Sequence, residues 1–241
     1  YIDICDFIDY GFEFNTVETD TNLVILEKDL NKYSKGTKEY TYNNVELAKV
    51  VGSLLFPVGL TLVCFLGLNL FTGKIGYLFD NKKNGYIKFL IFVYLGNLIG
   101  SLIFGFMALA IFKNVEPIYE KVTAIASNKT NISDFVGGLK LLAGGVLCGA
   151  LVYLAVFFYK TFENVIMKVI GIFVPIALFV YLGFDHCVAN MFYFTFAFSF
   201  ANPLSYLNIA LATIGNSIGA IALNSLIKSI KTMFGKNKIN E

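Results

Sequence analysis

The apolar run from Val165 to Phe200 is too long for a single membrane helix. As one helix its 36 or so residues would stretch roughly 54 Å at about 1.5 Å per residue, while a bilayer's hydrocarbon core is only about 30 Å thick. The run must therefore break. Polar groups allow a break between Gly183 and Asn190, where the chain's only histidine, His186, stands beside Asp185. Irregular backbone survives at membrane depth only where protein buries it or a cavity lines it. Ionisable groups there mark function by default, so His186 is read as the centre of a pore or substrate site.

Composition supports a membrane location. Hydrophobic residues make up 56% of the chain and charged residues 15%, with a mean hydropathy of +0.67. A soluble domain of this length needs far more charge to cover itself. The net charge of +2 comes from loop lysines, without arginine, and contains no basic cluster of the kind that binds nucleic acid. Cys5, Cys64, Cys148 and Cys187 follow no metal or redox spacing; the three in apolar spans read as small packing residues. No metal site, cofactor or catalytic set is expected.

Three segments follow in order. Residues 1–45 form an acidic, polar segment without a window long and apolar enough to span a membrane; within it, Leu23–Leu30 is read as a short helix or strand. The chain begins with Tyr1 rather than Met, which suggests a truncated or atypical N-terminus. Residues 46–234 form the membrane domain, and 235–241 a basic tail. A first span runs from Leu47 towards Phe79; its length also demands a break, placed at Asn69–Gly73. Tyr86–Phe112 is a second span, whose Gly96, Gly100, Ser101 and Gly105 invite close helix packing. Lys113–Asp134 is read as a polar linker. Spans then follow at Phe135–Tyr159, Val165–Phe200 (broken) and Leu207–Ile227. Lysines around 82–83, at 160 and 168, and in the tail place those ends and the C-terminus in the cytoplasm by the positive-inside rule.

The chain also repeats itself. Gly96-Asn-Leu-Ile-Gly100 and Gly215-Asn-Ser-Ile-Gly219 share one pattern 119 positions apart, and each follows a broken span. An odd number of spans separates the copies, which gives them opposite orientations, the inverted-repeat plan of many transport folds.

These residues resemble the formate/nitrite transporter family of formate, nitrite and hydrosulfide channels. The similar segments are Phe56-Pro-Val-Gly-Leu60 with Gly67-Leu-Asn-Leu-Phe-Thr-Gly73, then Tyr94–Gly100, Gly145–Val152 and, the most specific, Gly183-Phe-Asp-His-Cys-Val-Ala-Asn-Met191. The resemblance implies an all-α, aquaporin-like bundle with two broken helices, assembled as a homopentamer in a bacterial inner membrane, with one pore per protomer. It implies that Thr72 and His186 meet at the pore centre and that Asn190 and Asn216 line it. It further implies a cytoplasmic constriction at Leu60 and Leu70, and an outer one at Phe56, Val152 and Phe179. Gly73, Gly183 and Asp185 would shape the breaks. The sequence departs from the family pattern at three points: Asp185 replaces a usual Glu, Gly149 replaces a usual Asn, and the vestibule lysine has no direct counterpart. Ser133 falls nearest that lysine's place, and Lys129 lies one helical turn away and is carried over to it. Six spans are expected and five are visible.

The implied passenger is a small monovalent anion, with H+ as a possible co-passenger. The amino ends of half-helices carry partial positive charge, Thr72 offers a hydroxyl, and His186 offers a ring N–H. Asp185 would cap a helix or pair with a neighbouring one. Two other readings stay open on residues alone: a non-conducting homologue lacking the first helix, and a histidine that merely locks the break. A membrane enzyme using His186 and Asp185 lacks any accompanying nucleophile or metal set.

Overall fold

Both long apolar runs are severed in the computed structural model, which describes residues 47, 49–81 and 85–237, with side chains to Met233. The expectation for Leu23–Leu30 and most of the tail lie outside the described residues. Contacts divide the chain into Tyr1–Gly52 and Ser53–Glu241, and the architecture below is that of the second unit. Its helices are the part of α1 (Lys49–Phe65) that follows Gly52, α2 (Phe71–Ile75), α3 (Tyr86–Phe112), α4 (Glu116–Thr130), α5 (Phe135–Thr161), α6 (Val165–Leu182), α7 (Cys187–Phe196) and α8 (Pro203–Asn237). Four of them, α3, α5, α6 and α8, are long and apolar enough to cross a membrane.

Local chemistry sets the boundaries. The Asp134 carboxylate accepts from Gly137 N–H at 2.7 Å to open α5. The Asn164 amide oxygen accepts from Ile166 and Met167 N–H to open α6, and Asn202 does the same for Leu204 at the start of α8. Such caps satisfy N–H groups that the helix itself leaves without partners. Two expectations need correction. The polar linker is mostly helix α4, opened by Pro117 in its first turn, and α8 extends beyond the expected span at both ends.

The central crossing is α5 against α8, and it depends on absent side chains. A Cβ at Gly219 would stand 1.8 Å from the Val146 carbonyl oxygen, and one at Gly149 would stand 2.1 Å from that of Asn216. The departure at Gly149 thus has a physical reason, since no side chain fits where the α8 backbone passes. On α3 the small residues divide. Ser101 donates to the Val188 carbonyl on α7, and a Cβ at Gly105 would strike Thr195 at 2.7 Å. At Gly96 and Gly100, by contrast, nothing among the described residues lies within 4 Å of such a Cβ.

Candidate functional site

The two breaks share one backbone design. Gly67 (φ 68°) and Gly183 (φ 73°) occupy the left-handed region, which costs an L-residue about 1–2 kcal/mol and glycine nothing comparable. Each glycine closes its helix with a Schellman motif. Leu68 N–H reaches back to the Val63 carbonyl at 2.9 Å, and Phe184 N–H to that of Phe179 at 3.1 Å. In both, the new helix begins four positions after the glycine. The first interruption is therefore Leu66–Leu70 rather than Asn69–Gly73, and Thr72 and Gly73 lie inside α2.

Each break is clamped by the asparagine of the repeated Gly-Asn motif. Asn97 accepts from Phe71 N–H at 2.9 Å and donates to the Asn69 carbonyl at 3.1 Å. Asn216 accepts from Cys187 N–H at 3.0 Å and donates to the carbonyls of Asp185 and Gly145, both at 2.8 Å. In each copy the amide ties the first residue of the new helix to the residue two before it. Tyr94 OH and Thr213 Oγ1, equivalent positions of the two copies 119 residues apart, meet at 3.1 Å. A local two-fold relation requires like to meet like in this way.

Thr72 Oγ1 lies 2.9 Å from His186 Nε2, and the contact joins the two second arms. The ring's other nitrogen, Nδ1, accepts from Ala189 N–H at 3.1 Å and so serves as the N-cap of α7. A backbone N–H can only donate, so Nδ1 carries no proton and the neutral ring bears its hydrogen on Nε2. That hydrogen points to Thr72 and leaves the threonine's own O–H to donate elsewhere. An imidazolium would set two donors against each other at Nδ1. Thr72 is fully buried and His186 is 5% exposed, and Phe179 stacks on the imidazole at 5.8 Å.

Apolar residues surround this pair. Leu60, Val152 and Phe179 are buried in one cluster with Leu70 packed against it, and Phe56 meets the edge of Phe179 at 5.6 Å. Gly73 holds α2 against α5, where a Cβ would stand 2.9 Å from Val156. Beside the break, Lys129 Nζ pairs with Asp185 Oδ1 at 2.8 Å, each side chain 17% exposed. Asn190 donates to the same carboxylate at 2.9 Å and to Asn208 at 2.7 Å, and Asn208 donates to the Lys129 carbonyl. Lys129, Asp185, Asn190 and Asn208 thus join α4, α7 and α8.

The structure adds detail to the sequence expectations at three places. Asn190 and Asn216 are fully buried; the Asn216 amide bonds protein backbone, while Asn190 donates to Asp185 and Asn208 and its Oδ1 has no partner among the described residues. The N–H groups of Phe71 and Cys187 are already bonded to Asn97 and Asn216, so they do not face a passenger. Of the two roles expected for Asp185, pairing with a neighbouring helix is the one seen, through Lys129 on α4, and the cap role falls to His186. Sequence reasoning missed Asn97 and Asn208 as structural members of the site. Asn97 was recoverable, because it occupies the position of Asn216 in the repeat; Asn208 had no motif to mark it.

Residues 30–230 match the family model described as formate/nitrite transporter. The chain is 37% identical over 193 residues to an uncharacterized transporter, YrhG, of Bacillus subtilis, covering 75% of this chain and 71% of that protein. It is 31% identical over 205 residues to a probable formate transporter of Methanothermobacter thermautotrophicus, covering 72% and 71%. A solved pentameric formate channel with formate bound superposes with a TM-score of 0.56 at 26% identity, over 81% of this chain and 85% of that one.

Proposed function

The chain belongs to the formate/nitrite transporter family, and on that premise we propose that it carries a small monovalent anion of the formate, nitrite or hydrosulfide class through a passage centred on Thr72 and His186. Family membership makes it a membrane channel or transporter rather than an enzyme. The observation that carries the proposal is the 2.9 Å bond between Thr72 and His186, because it joins the two broken runs through polar side chains. Leu60, Leu70, Phe56, Val152 and Phe179 act as the apolar collar on either side. Lys129, held by Asp185, is the vestibule cation, and Asn190 and Asn216 keep the break rigid. Five copies assemble, as in the solved relative, with the C-terminal lysines on the cytoplasmic side.

Magnitudes choose how the passenger crosses. Moving a carboxylate-sized ion into a low-dielectric medium costs on the order of 20 kcal/mol. Hydrogen bonds to a charged group return only about 1.5–3 kcal/mol each. One threonine hydroxyl cannot offset that cost, and the imidazole N–H is already given to Thr72. The anion therefore gathers outside the collar and crosses as its neutral acid, with Thr72 O–H as the group that meets it.

The test is formate uptake into liposomes between about pH 5 and 8, since formic acid shares the low pKa range of carboxyl groups. Uptake at fixed total formate should rise as pH falls. A His186→Ala variant with unchanged rate and pH profile would remove the histidine from the mechanism. A second reading, a non-conducting homologue, is favoured by the burial of Thr72 and His186 from water. It predicts no flux from folded wild-type protein at any pH.

A further inference from the structure

The arm that carries Thr72 is short. Helix α2 has five residues, far below the roughly 12–15 at which an isolated helix becomes even marginally stable. α7 has ten residues and is capped by its own His186. The position of α2 therefore depends on neighbours at both ends. Asn97 holds its start, at the Phe71 N–H. Its exit is held by Asn224, a residue of α8 outside the repeated motif.

Asn224 is 5% exposed, and a buried amide is costly unless its groups are paired. Its Nδ2 donates to the Gly76 carbonyl at 2.7 Å and to Asp80 Oδ2 at 3.1 Å. Its Oδ1 accepts from the Tyr153 hydroxyl of α5 at 2.7 Å. A carbonyl and a carboxylate can only accept, so the amide nitrogen belongs on their side. Gly76 closes α2 and is pressed against both long helices. A Cβ there would stand 2.4 Å from the Tyr153 ring and 3.1 Å from the Ala220 carbonyl oxygen. Every bond Asn224 makes thus ends on the α2 exit or on the tyrosine packed against it. Thr72 lies one turn before Gly76, about 6 Å at 1.5 Å per residue, so a shift at the exit is carried to its hydroxyl. Its bond to His186 is 2.9 Å long, and a displacement of about 0.7 Å stretches such a contact beyond hydrogen-bond range.

We propose that Asn224, backed by Tyr153, is a positioning residue for transport: it fixes the exit of α2 and so keeps Thr72 Oγ1 in register with His186 Nε2. The proposal rests on the reading of Thr72 and His186 as the centre of the passage. Asn224 acts through Thr72 and does not itself meet the passenger.

His186 is the chain's only histidine, so isotope-labelled histidine in the full chain gives one imidazole whose Nε2 resonance reports the Thr72 bond without any flux. Asn224→Leu, of similar size and without the three bonds, should move that resonance towards its place in Thr72→Ala. Ser225→Ala is the control, since its hydroxyl bonds only the Ile221 carbonyl of its own helix, and should leave the resonance where it is. In phosphatidylcholine liposomes Asn224→Leu should lower formate uptake roughly three- to tenfold. In a Thr72→Ala background it should cause no further loss, because nothing is left to position. A resonance unmoved by Asn224→Leu, or losses that multiply in the double variant, overturns the proposal. Should Asn224→Leu fail to fold, Tyr153→Phe removes one hydroxyl and is judged on the same resonance, with a smaller shift in the same direction expected and no shift overturning the proposal. Wild-type protein that passes no formate but shows these shifts would remove the channel reading and keep the role of Asn224. Flux with an unmoved resonance would do the reverse.

Discussion

At the first break the chain passes from Gly67 through Leu-Asn-Leu into Phe71; at the second it passes from Gly183 through Phe-Asp-His into Cys187. Backbone conformation, Schellman bonds and asparagine clamp agree between them. The side chains they present do not. Leu70 caps α2 without a side-chain bond, whereas His186 caps α7 through Nδ1. Asn69 offers its carbonyl to Asn97, while the equivalent Asp185 adds an ion pair to Lys129. The duplicated backbone provides two rigid interruptions, and the chemistry has been placed mainly on one. The first copy contributes a single reaching hydroxyl, Thr72.

The sharpest difference between the copies is in helix packing. Gly219→Ala puts a methyl group 1.8 Å from the Val146 carbonyl oxygen, and backbone cannot yield as a side-chain tip does. Overpacking of this kind costs about 3 kcal/mol or more, so the purified variant should lose its monodisperse peak and most of its flux. Gly100→Ala occupies the same place in the other copy, where nothing lies within 4 Å. It should leave the subunit's melting temperature unchanged or slightly raised. Equal damage from both would mean that α3 is packed like α8, by a helix outside the described residues.

Lys129→Met comes next, because removing one partner of a buried pair leaves the other charge uncompensated, a loss of about 3–5 kcal/mol in fully buried sites. With each side chain 17% exposed, the lower end is expected. Adding Asp185→Asn should recover most of that stability in a thermal-unfolding assay, since no lone charge then remains. A double variant as unstable as the single one would remove the pair from the account. Among the described residues the first break contains no such pair, so Asn69→Ala should be close to silent.

Asn216→Ala against Asn97→Ala compares the clamps directly. Asn216 is fully buried and serves three backbone groups, each worth about 1–3 kcal/mol if stranded. Relaxation and water entry should bring the total nearer 2–3 kcal/mol. Asn97 serves two groups and is partly open, so water can replace it for about 1 kcal/mol or less. Thermal unfolding in detergent decides, and equal losses would contradict the asymmetry.

Much of this plan was legible in the chain. Length against bilayer thickness required both breaks, and Gly183, with polar neighbours, located the second to within a residue or two. The first was misplaced because Thr72 and Gly73 look like breakers, while the deciding glycine, Gly67, sits in a run of leucines and phenylalanines. Aligning Gly67-Leu-Asn-Leu-Phe71 with Gly183-Phe-Asp-His-Cys187 finds it. Helix α4 escaped because its charged, polar composition reads as a loop, and its packing on α7 and α8 is tertiary information. The bonds made by Asn190 and Asn216 were not legible, since a motif tells which residues matter but not where an amide's four hydrogen-bonding positions are spent.

The smallest expected difference concerns how the two second arms end. α7 leaves through uncharged groups, with Ser205 Oγ donating to the Ser199 carbonyl at 2.9 Å. The turn after α2 ends at Asp80, bonded by Lys228 and Asn224. Partial burial pushes the Asp80 carboxyl up, but the bonds from Lys228 and Asn224 together outweigh it and hold the group below its ordinary value. A carboxyl with a depressed folded-state pKa adds stability that is fully present above its unfolded value, about 3.9. That stability disappears as pH falls through the lower folded value. Wild type should therefore melt slightly above Asp80→Asn at pH 6, and the gap should close below about pH 4. Because the pair is largely exposed, salt should narrow the gap as well. A gap that stays constant down to pH 3 would mean that Asp80 holds the α2 turn through the Asn224 bond alone, with no ionic part. The two exits would then differ in residue type but not in how they are stabilised.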